Sequence, residues 1–422
     1  MQAFQQGVQY LLSFGVTVIL PLIIFILGMC MGAGFTRSLR SGITIGIGFV
    51  GINLVIGLLT GQLGPAATAM TQRFGLNLEI VDIGWPAMAA ISWAWQMAGL
   101  MIPIVLIINF IMIGLKLTKT MNIDIWNYWQ FAFIGAAVFG TSGAHHWGIV
   151  AGVVGAIIAL ILADYTQKYI AEYFKMPGIS FPHLTALGFM PLVIPLNWVF
   201  DRIPGINKLY ANPETIRKRF GLFGEPMMMG LIIGAILAVI AGYDLRGVLG
   251  LGITMGSVMF IMPKMVAILM EGLIPISDAA REFMAKHFKG REIYIGLDAA
   301  VSLGEPSVIA VGLVMVPITI ALAILLGPVM GINRMLPLAD LAVIPFIVCL
   351  ITAMSKGNVI RSVFVATIVM ALVLVFATLL SPAQTSVALA SGVDLQGNAE
   401  IGNLDRANLI TWVLVNIFAL FP

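Results

Sequence analysis

Val81-Asp82-Ile83-Gly84-Trp85-Pro86 opens a stretch, 81–97, that is otherwise mostly apolar, and Leu303-Gly304-Glu305-Pro306 breaks a second one, 296–310. Glycine reaches backbone conformations that other residues avoid, and proline removes a donor and stops a helix. A Gly-x-Pro inside an apolar run therefore frees backbone polar groups. Hydrocarbon cannot satisfy them, so protein or a water-filled cavity must. With a third copy at Gly224-Glu225-Pro226, these motifs imply helix breaks gathered around a polar cavity inside a membrane.

The surrounding composition agrees. The chain has 422 residues, 60% of them hydrophobic and only 10% charged, with a mean hydropathy of +1.03. Soluble domains carry roughly a quarter charged residues. A soluble globule, a disordered chain and a nucleic-acid partner are excluded on that ground, and the class is an all-α polytopic membrane protein. Cys30 and Cys349 each lie in an apolar run, which is neither a disulfide scaffold nor a metal site. No cofactor or metal is expected. The N-terminus lacks the charged region and small-residue cleavage site of a signal peptide.

A crossing helix needs about 20 apolar residues. Segments 15–32, 42–60, 98–114, 125–141, 148–163, 225–242, 248–270, 311–328, 338–354 and 362–380 qualify, and 409–422 is a shorter candidate. The expectation is about eleven crossings. Three further stretches, 81–97, 183–200 and 296–310, are polar or proline-interrupted and read as re-entrant. With that assignment every Lys and Arg except Arg73, Arg246, Arg334 and Arg406, and Lys264 within a span, falls on one side. Positive charge marks the cytoplasm, so the N-terminus is expected outside.

The layout repeats. Residues 1–163 form a first unit with its re-entrant segment at 81–97, and 225–380 a second with its own at 296–310. Between them, 164–224 reads as a cytoplasmic linker containing 183–200, and 381–422 as an outer loop and final helix. The second unit starts on the opposite side from the first, so the two are expected to be inverted repeats, with the site at broken helices near the midplane.

Polar residues at membrane depth are costly and mark function. The candidates are Asp82, Trp85, Ser92, Trp93 and Gln96 around the first break, and Asp298 and Glu305 around the second. His145, His183, Glu225 and Asn358 complete the set. Aromatic faces pack on C–H surface, while carboxylates, amides and imidazoles take hydroxyl groups. An anionic solute would need arginine, and none is expected at depth. A neutral polyhydroxy solute fits best. No Gly-x-x-x-x-Gly-Lys-Ser/Thr loop is present, so energy comes from an ion gradient or another protein.

Several motifs together carry a family resemblance: Ile45-Gly-Ile-Gly-Phe-Val-Gly-Ile52, Gly64-Pro65-Ala66-Ala67, Val81 to Pro86, Asn122-Ile-Asp-Ile-Trp-Asn127, Gly221 to Pro226, Ala241-Gly-Tyr-Asp244 and Ile295-Gly-Leu-Asp298. Over nearly its whole length the chain resembles the galactitol-type membrane component (enzyme IIC) of the phosphoenolpyruvate-dependent sugar phosphotransferase system, grouped with the ascorbate permeases. The resemblance implies eleven spans in inverted repeats and a homodimer. It implies a mobile core that moves elevator-like against a dimerisation domain in the bacterial inner membrane. It also implies phosphorylation of galactitol or a similar alditol by a cytoplasmic IIB protein through a phosphocysteine, fed by IIA. Carried over by position, it points to Ser92, Trp93, Gln96, His183, Asp298 and Gly357 as substrate contacts. Asp298 or Glu305 is the expected general base. On the residues alone, an ion-coupled transporter of a polyol or related sugar acid remains open.

Overall fold

The computed structural model describes residues 7, 10, 14, 16–73, 79–203, 209–214, 222, 225–287, 292–337, 339–390 and 400–420. The basic run Arg217-Lys218-Arg219 and Gly224 lie outside the described residues.

Two long helices form the spine of one layer. α1 (Val16–Cys30) turns back into α2 (Phe35–Arg73). The second half opens in the same way. Its first two helices, Pro226–Ala241 and Leu245–His287, turn back on each other after Gly242, whose φ is +81°. In chain order, α3 (Gly84–Ala94), α4 (Ala98–Gly114), α5 (Trp129–Ser142), α6 (His145–Tyr173), α7 (Leu184–Leu187) and α8 (Met190–Phe200) intervene. The helices Pro226–Ala241 and Leu245–His287 are then α9 and α10, followed by α11 (Pro306–Ile324), α12 (Ile344–Met354), α13 (Val359–Ala390) and α14 (Leu409–Phe418).

α2 and α10 pack along each other through glycines. A Cβ at Gly48 would come within 2.7 Å of Leu269, and one at Gly272 within 2.9 Å of the Ser41 carbonyl. The pairing of 48 with 269 and 41 with 272 makes the two helices antiparallel. Small residues let helices approach closely in lipid, where dispersion replaces the hydrophobic drive. Arg73, at the end of α2, donates to the Val239 and Ile240 carbonyls at the end of α9. Those are carbonyls of the last turn, where a helix runs short of its own N–H donors.

Each segment chosen for its hydropathy coincides with one of these helices. Among the described residues, five helices, against about eleven expected crossings, are long and apolar enough to cross a bilayer: Phe35–Val55 within α2, His145–Tyr173, Leu245–Ile276 within α10, Pro306–Val329 and Val359–Leu389. Ala87–Ala94 and Ala98–Gly114 together make a sixth, bent by 89° at its break. The remaining apolar helices are shorter. The fold is thus an all-α membrane protein, with strand confined to short pieces.

Those pieces position everything else. β1 (Ile80–Asp82), β2 (Thr120–Asn122), β3 (Ile179–Ser180), β4 (Tyr294–Gly296) and β5 (Glu400–Gly402) form two parallel sheets. In the first, β1 lies beside β5, with Ile80 opposite Glu400 and also bridged to Met335. In the second, β4 lies between β2 and β3, with Thr120 opposite Tyr294 and Ile179 opposite Ile295. In each sheet the central strand follows one of the two long helices, α2 or α10, and is flanked by pieces from the other half of the chain. The pairing satisfies backbone groups that extended chain would otherwise leave bare at membrane depth.

All three Gly-x-Pro motifs start helices. Pro226 and Pro306 stand at the first helical position, after Glu225 and Glu305 as N-caps, where proline's missing N–H costs nothing. Pro86 lies in the first turn of α3. The stretch 296–310 is a strand end, a 3₁₀ turn (Ala299–Gly304) and the start of α11. The stretch 183–200 is two short helices, α7 and α8.

Candidate functional site

The strand ends converge on one cavity. Trp85 follows β1; Trp126, Asn127 and Trp129 follow β2; His183 and Thr185 follow β3; Asp298 and Ala300 follow β4; Asp405 follows β5. Val343 and Phe346, after the Met335 bridge, complete that side. Phe49, Ile52 and Asn53 of α2 close the other. The space, counted together with its open side, is about 560 Å³.

One wall is polar. Asn127 donates from Nδ2 to Asp298 Oδ2 at 2.9 Å and to Asp124 Oδ2 at 2.7 Å. Trp129 Nε1 donates to Asn127 Oδ1 at 3.1 Å, which fixes the amide's orientation. Asp298 Oδ1 accepts from the Ala300 N–H at 2.9 Å, so the 3₁₀ turn it caps aims the carboxylate. His183 Nε2 stands 3.8 Å from Asp298 Oδ1. His183 Nδ1 is buried and has no hydrogen-bond partner among the described residues. Thr185 donates to Asp405, and its oxygen accepts from Arg406 Nη2 at 3.0 Å and Gln130 Nε2 at 3.3 Å. The arc Asn127, Asp298, His183, Thr185, Asp405 thus alternates donors and acceptors beside indole faces. That arrangement suits several adjacent hydroxyl groups on a short carbon chain.

Of the residues singled out from sequence, Trp85, His183 and Asp298 line this cavity. The others lie elsewhere. Asp82 knots the outer sheet: it accepts from the N–H groups of Gly84, Ala339 and Asp340. Ser92 donates to the Met88 carbonyl of its own helix. Trp93 is buried, and Gln96 is exposed. His145 stacks on Phe139 at 4.0 Å. Glu225 caps α9. Glu305 accepts from the Tyr173 hydroxyl at 3.1 Å, beside Gly357, whose φ is +74° and where a Cβ would come within 2.6 Å of that hydroxyl oxygen. Asn358 holds the segment 209–211 through Leu209 and Ala211. Glu305, Tyr173 and Gly357 therefore form a separate cluster, and Glu305 does not share the cavity with Asp298.

One expectation is overturned. Arg406 was expected at the outer surface, with no arginine at depth, but it is fully buried. Its Nε and Nη2 bond Asp405 Oδ2 at 3.2 and 2.9 Å, and its guanidinium lies 4.5 Å over the Trp129 ring. The adjacent carboxylate supplies the countercharge that makes burial tolerable.

Asn127, Thr185, Asp405, Trp126 and Trp129 are cavity residues that the hydropathy reading passed over as contacts. Two sequence signals mark them. Asn122-Ile-Asp-Ile-Trp-Asn127 and Asn403-Leu-Asp-Arg-Ala-Asn408 are dense polar runs directly before apolar helices.

Apolar helices of membrane length, broken around one cavity lined by indoles, carboxylates and an imidazole, define a multi-pass permease for a small polar solute. Residues 10–398 match the family model of the sugar-specific permease component of the phosphotransferase system, and the chain belongs to that family. It is 36% identical over 417 residues to the galactitol-specific EIIC component of Escherichia coli strain K12, covering 99% of this chain and 91% of that protein. The galactitol-specific component of Escherichia coli O157:H7 matches to the same extent. A permease IIC component of strain K12, whose own assignment is provisional, is 37% identical over 412 residues, 97% of this chain and 93% of that protein.

Proposed function

We propose that the chain carries galactitol or a closely similar alditol inward across the bacterial inner membrane for phosphorylation by a IIB phosphocysteine, recharged by IIA. The observation that carries this reading is the cavity itself: a carboxylate bonded to an amide, with an imidazole 3.8 Å from the same carboxylate, faced by indole rings. The names of the relatives support the choice of alditol.

In this reading Trp85, Trp126 and Trp129 pack on the C–H face, and Asn127, Asp298 and His183 take hydroxyls. At the cytoplasmic side a terminal hydroxyl oxygen attacks the phosphorus of the phosphocysteine. The S–P bond breaks, the thiolate leaves with the partner, and the hydroxyl proton passes to Asp298 as general base. Positioning and charge stabilisation do the rest.

The two halves act as inverted repeats. The antiparallel α2 and α10 and the reciprocal make-up of the two sheets support this. α1, α2, α9 and α10 form the dimerising layer, and the strand-centred core is the moving part. The end carrying Lys119 and Glu292 faces the cytoplasm and the N-terminus lies outside, in keeping with the positive-inside rule.

The test is labelled galactitol given to cells with the phosphoenolpyruvate relay intact or deleted. Phosphorylated label that disappears with the relay is expected. Unmodified label that accumulates without the relay would overturn the reading.

A further inference from the structure

Behind the cavity wall sits a charge that the solute never meets directly. Arg406 is fully buried, and three residues lining the cavity touch it. Asp405 takes its Nε and Nη2, the Thr185 oxygen takes Nη2, and the Trp129 ring lies under the guanidinium. Arg406 Nη1 has no partner among the described residues. Arg406 is thus one side chain removed from the ligand space, in surroundings where charge is screened far less than in water. Asp405 answers it: one oxygen is spent on Arg406, and the other, bonded by Thr185, faces the cavity.

We propose that the Asp405–Arg406 pair sets the charge selectivity of the site, keeping its far wall neutral so that an uncharged alditol is taken while sugar acids and sugar phosphates are rejected. Without Asp405 the wall would carry an uncompensated guanidinium and favour a carboxylate or phosphate. Without Arg406 it would carry a second carboxylate besides Asp298 and favour a cation. The pair also gives the phosphorylated product a reason to leave, since no free positive charge holds it. Asp405 is a specificity-determining residue, and Arg406 a positioning residue that acts through it. The inference rests on the alditol reading and deepens it.

The test uses three six-carbon ligands that differ only at one terminus: galactitol, galactonate and 1-amino-1-deoxygalactitol. Equilibrium binding is measured on the purified full chain in detergent. Wild type should prefer galactitol to both charged analogues. In Asp405→Asn the galactonate-to-galactitol affinity ratio should rise at least about tenfold, a change on the scale of one charge-assisted hydrogen bond. In Arg406→Gln the amine-to-galactitol ratio should rise by a similar factor. The two variants leave opposite charges uncovered, so either one that retains galactitol binding decides the matter. Unchanged ratios in such a variant would overturn the proposal. Loss of all three ligands from both variants would overturn it too, because the pair would then hold the cavity together rather than set its charge. Failure of wild type to bind galactitol at all would instead sink the alditol reading, and this inference with it.

Discussion

Two trios of residues follow the ends of the two sheets, and they differ in one respect that decides their work. In the first, Asp82 ends β1, Asp340 precedes a 3₁₀ turn, and Asp405 follows β5. In the second, Asp298 follows β4, Asp124 precedes a 3₁₀ turn, and His183 follows β3. Asp82 and Asp298 each accept from the backbone N–H two residues on. In the first trio the backbone takes up the remaining acceptors of Asp82 and Asp340, while Asp405 is held by the Arg406 and Thr185 side chains. Asp82 receives Ala339 and Asp340, and Asp340 receives Trp85 and Asp405, at 2.8 to 3.0 Å. In the second, the partners are side chains, Asn127 and His183, and Asp298 faces the cavity. One scaffold, used twice, makes a knot where backbone N–H groups close Asp82 and Asp340, and a cavity wall where side chains leave Asp298 facing open space.

The comparison breaks most visibly at the knot. Asp340 is fully buried, and Asp340→Ala would strand the Trp85 and Asp405 amides. Each unmet buried donor costs roughly 1–3 kcal/mol, so thermal unfolding in detergent should shift down by several degrees. An unchanged midpoint would mean that the knot is not structural. At the other trio, Asp298→Asn should weaken galactitol binding by about a hundredfold. His183→Gln should weaken it by about tenfold on the same grounds. Both would be read by equilibrium binding.

Much of this plan was legible before the structure. The Gly-x-Pro motifs imply breaks around one cavity; they are helix starts, and only the first brings a residue, Trp85, to the cavity. Asp298, His183 and Trp85 reached the cavity because an ionisable or aromatic residue beside a break has few other uses in lipid. What stayed hidden was depth. Asn403 to Asn408 reads as a polar outer loop, yet β5 pairs it with β1 and folds it inward, burying Arg406 against Asp405. Hydropathy cannot show such pairing, because the partner strand lies far away in the chain. Glu305 failed for a related reason. It caps α11 seven residues beyond Asp298, and the 3₁₀ turn between them carries it to Tyr173 instead.

That separation sharpens the comparison further. Because Glu305 lies outside the cavity, Glu305→Gln should leave galactitol affinity within about threefold of wild type. A loss like that of Asp298→Asn would place Glu305 in the site after all. The smallest effect belongs to the exposed pair at the inner sheet, Lys119 Nζ and Glu292 Oε2 at 2.9 Å. The hydrogen bond from Lys119 holds the Glu292 carboxyl below the usual carboxylate range and raises the Lys119 ammonium. Any stability from Glu292 is present above the ordinary carboxylate range and lost as pH falls through its depressed value. Both groups are exposed, so Lys119→Gln should cost under about 1 kcal/mol at neutral pH, and less still in high salt. Chemical denaturation at two salt concentrations would show it.

The most direct measurement pairs two counterpart residues: galactitol binding and thermal unfolding of Asp82→Asn beside Asp298→Asn. The account predicts that Asp82→Asn binds galactitol but unfolds earlier, while Asp298→Asn unfolds like wild type and does not bind. The reverse pattern, with binding lost at Asp82 and retained at Asp298, would contradict it.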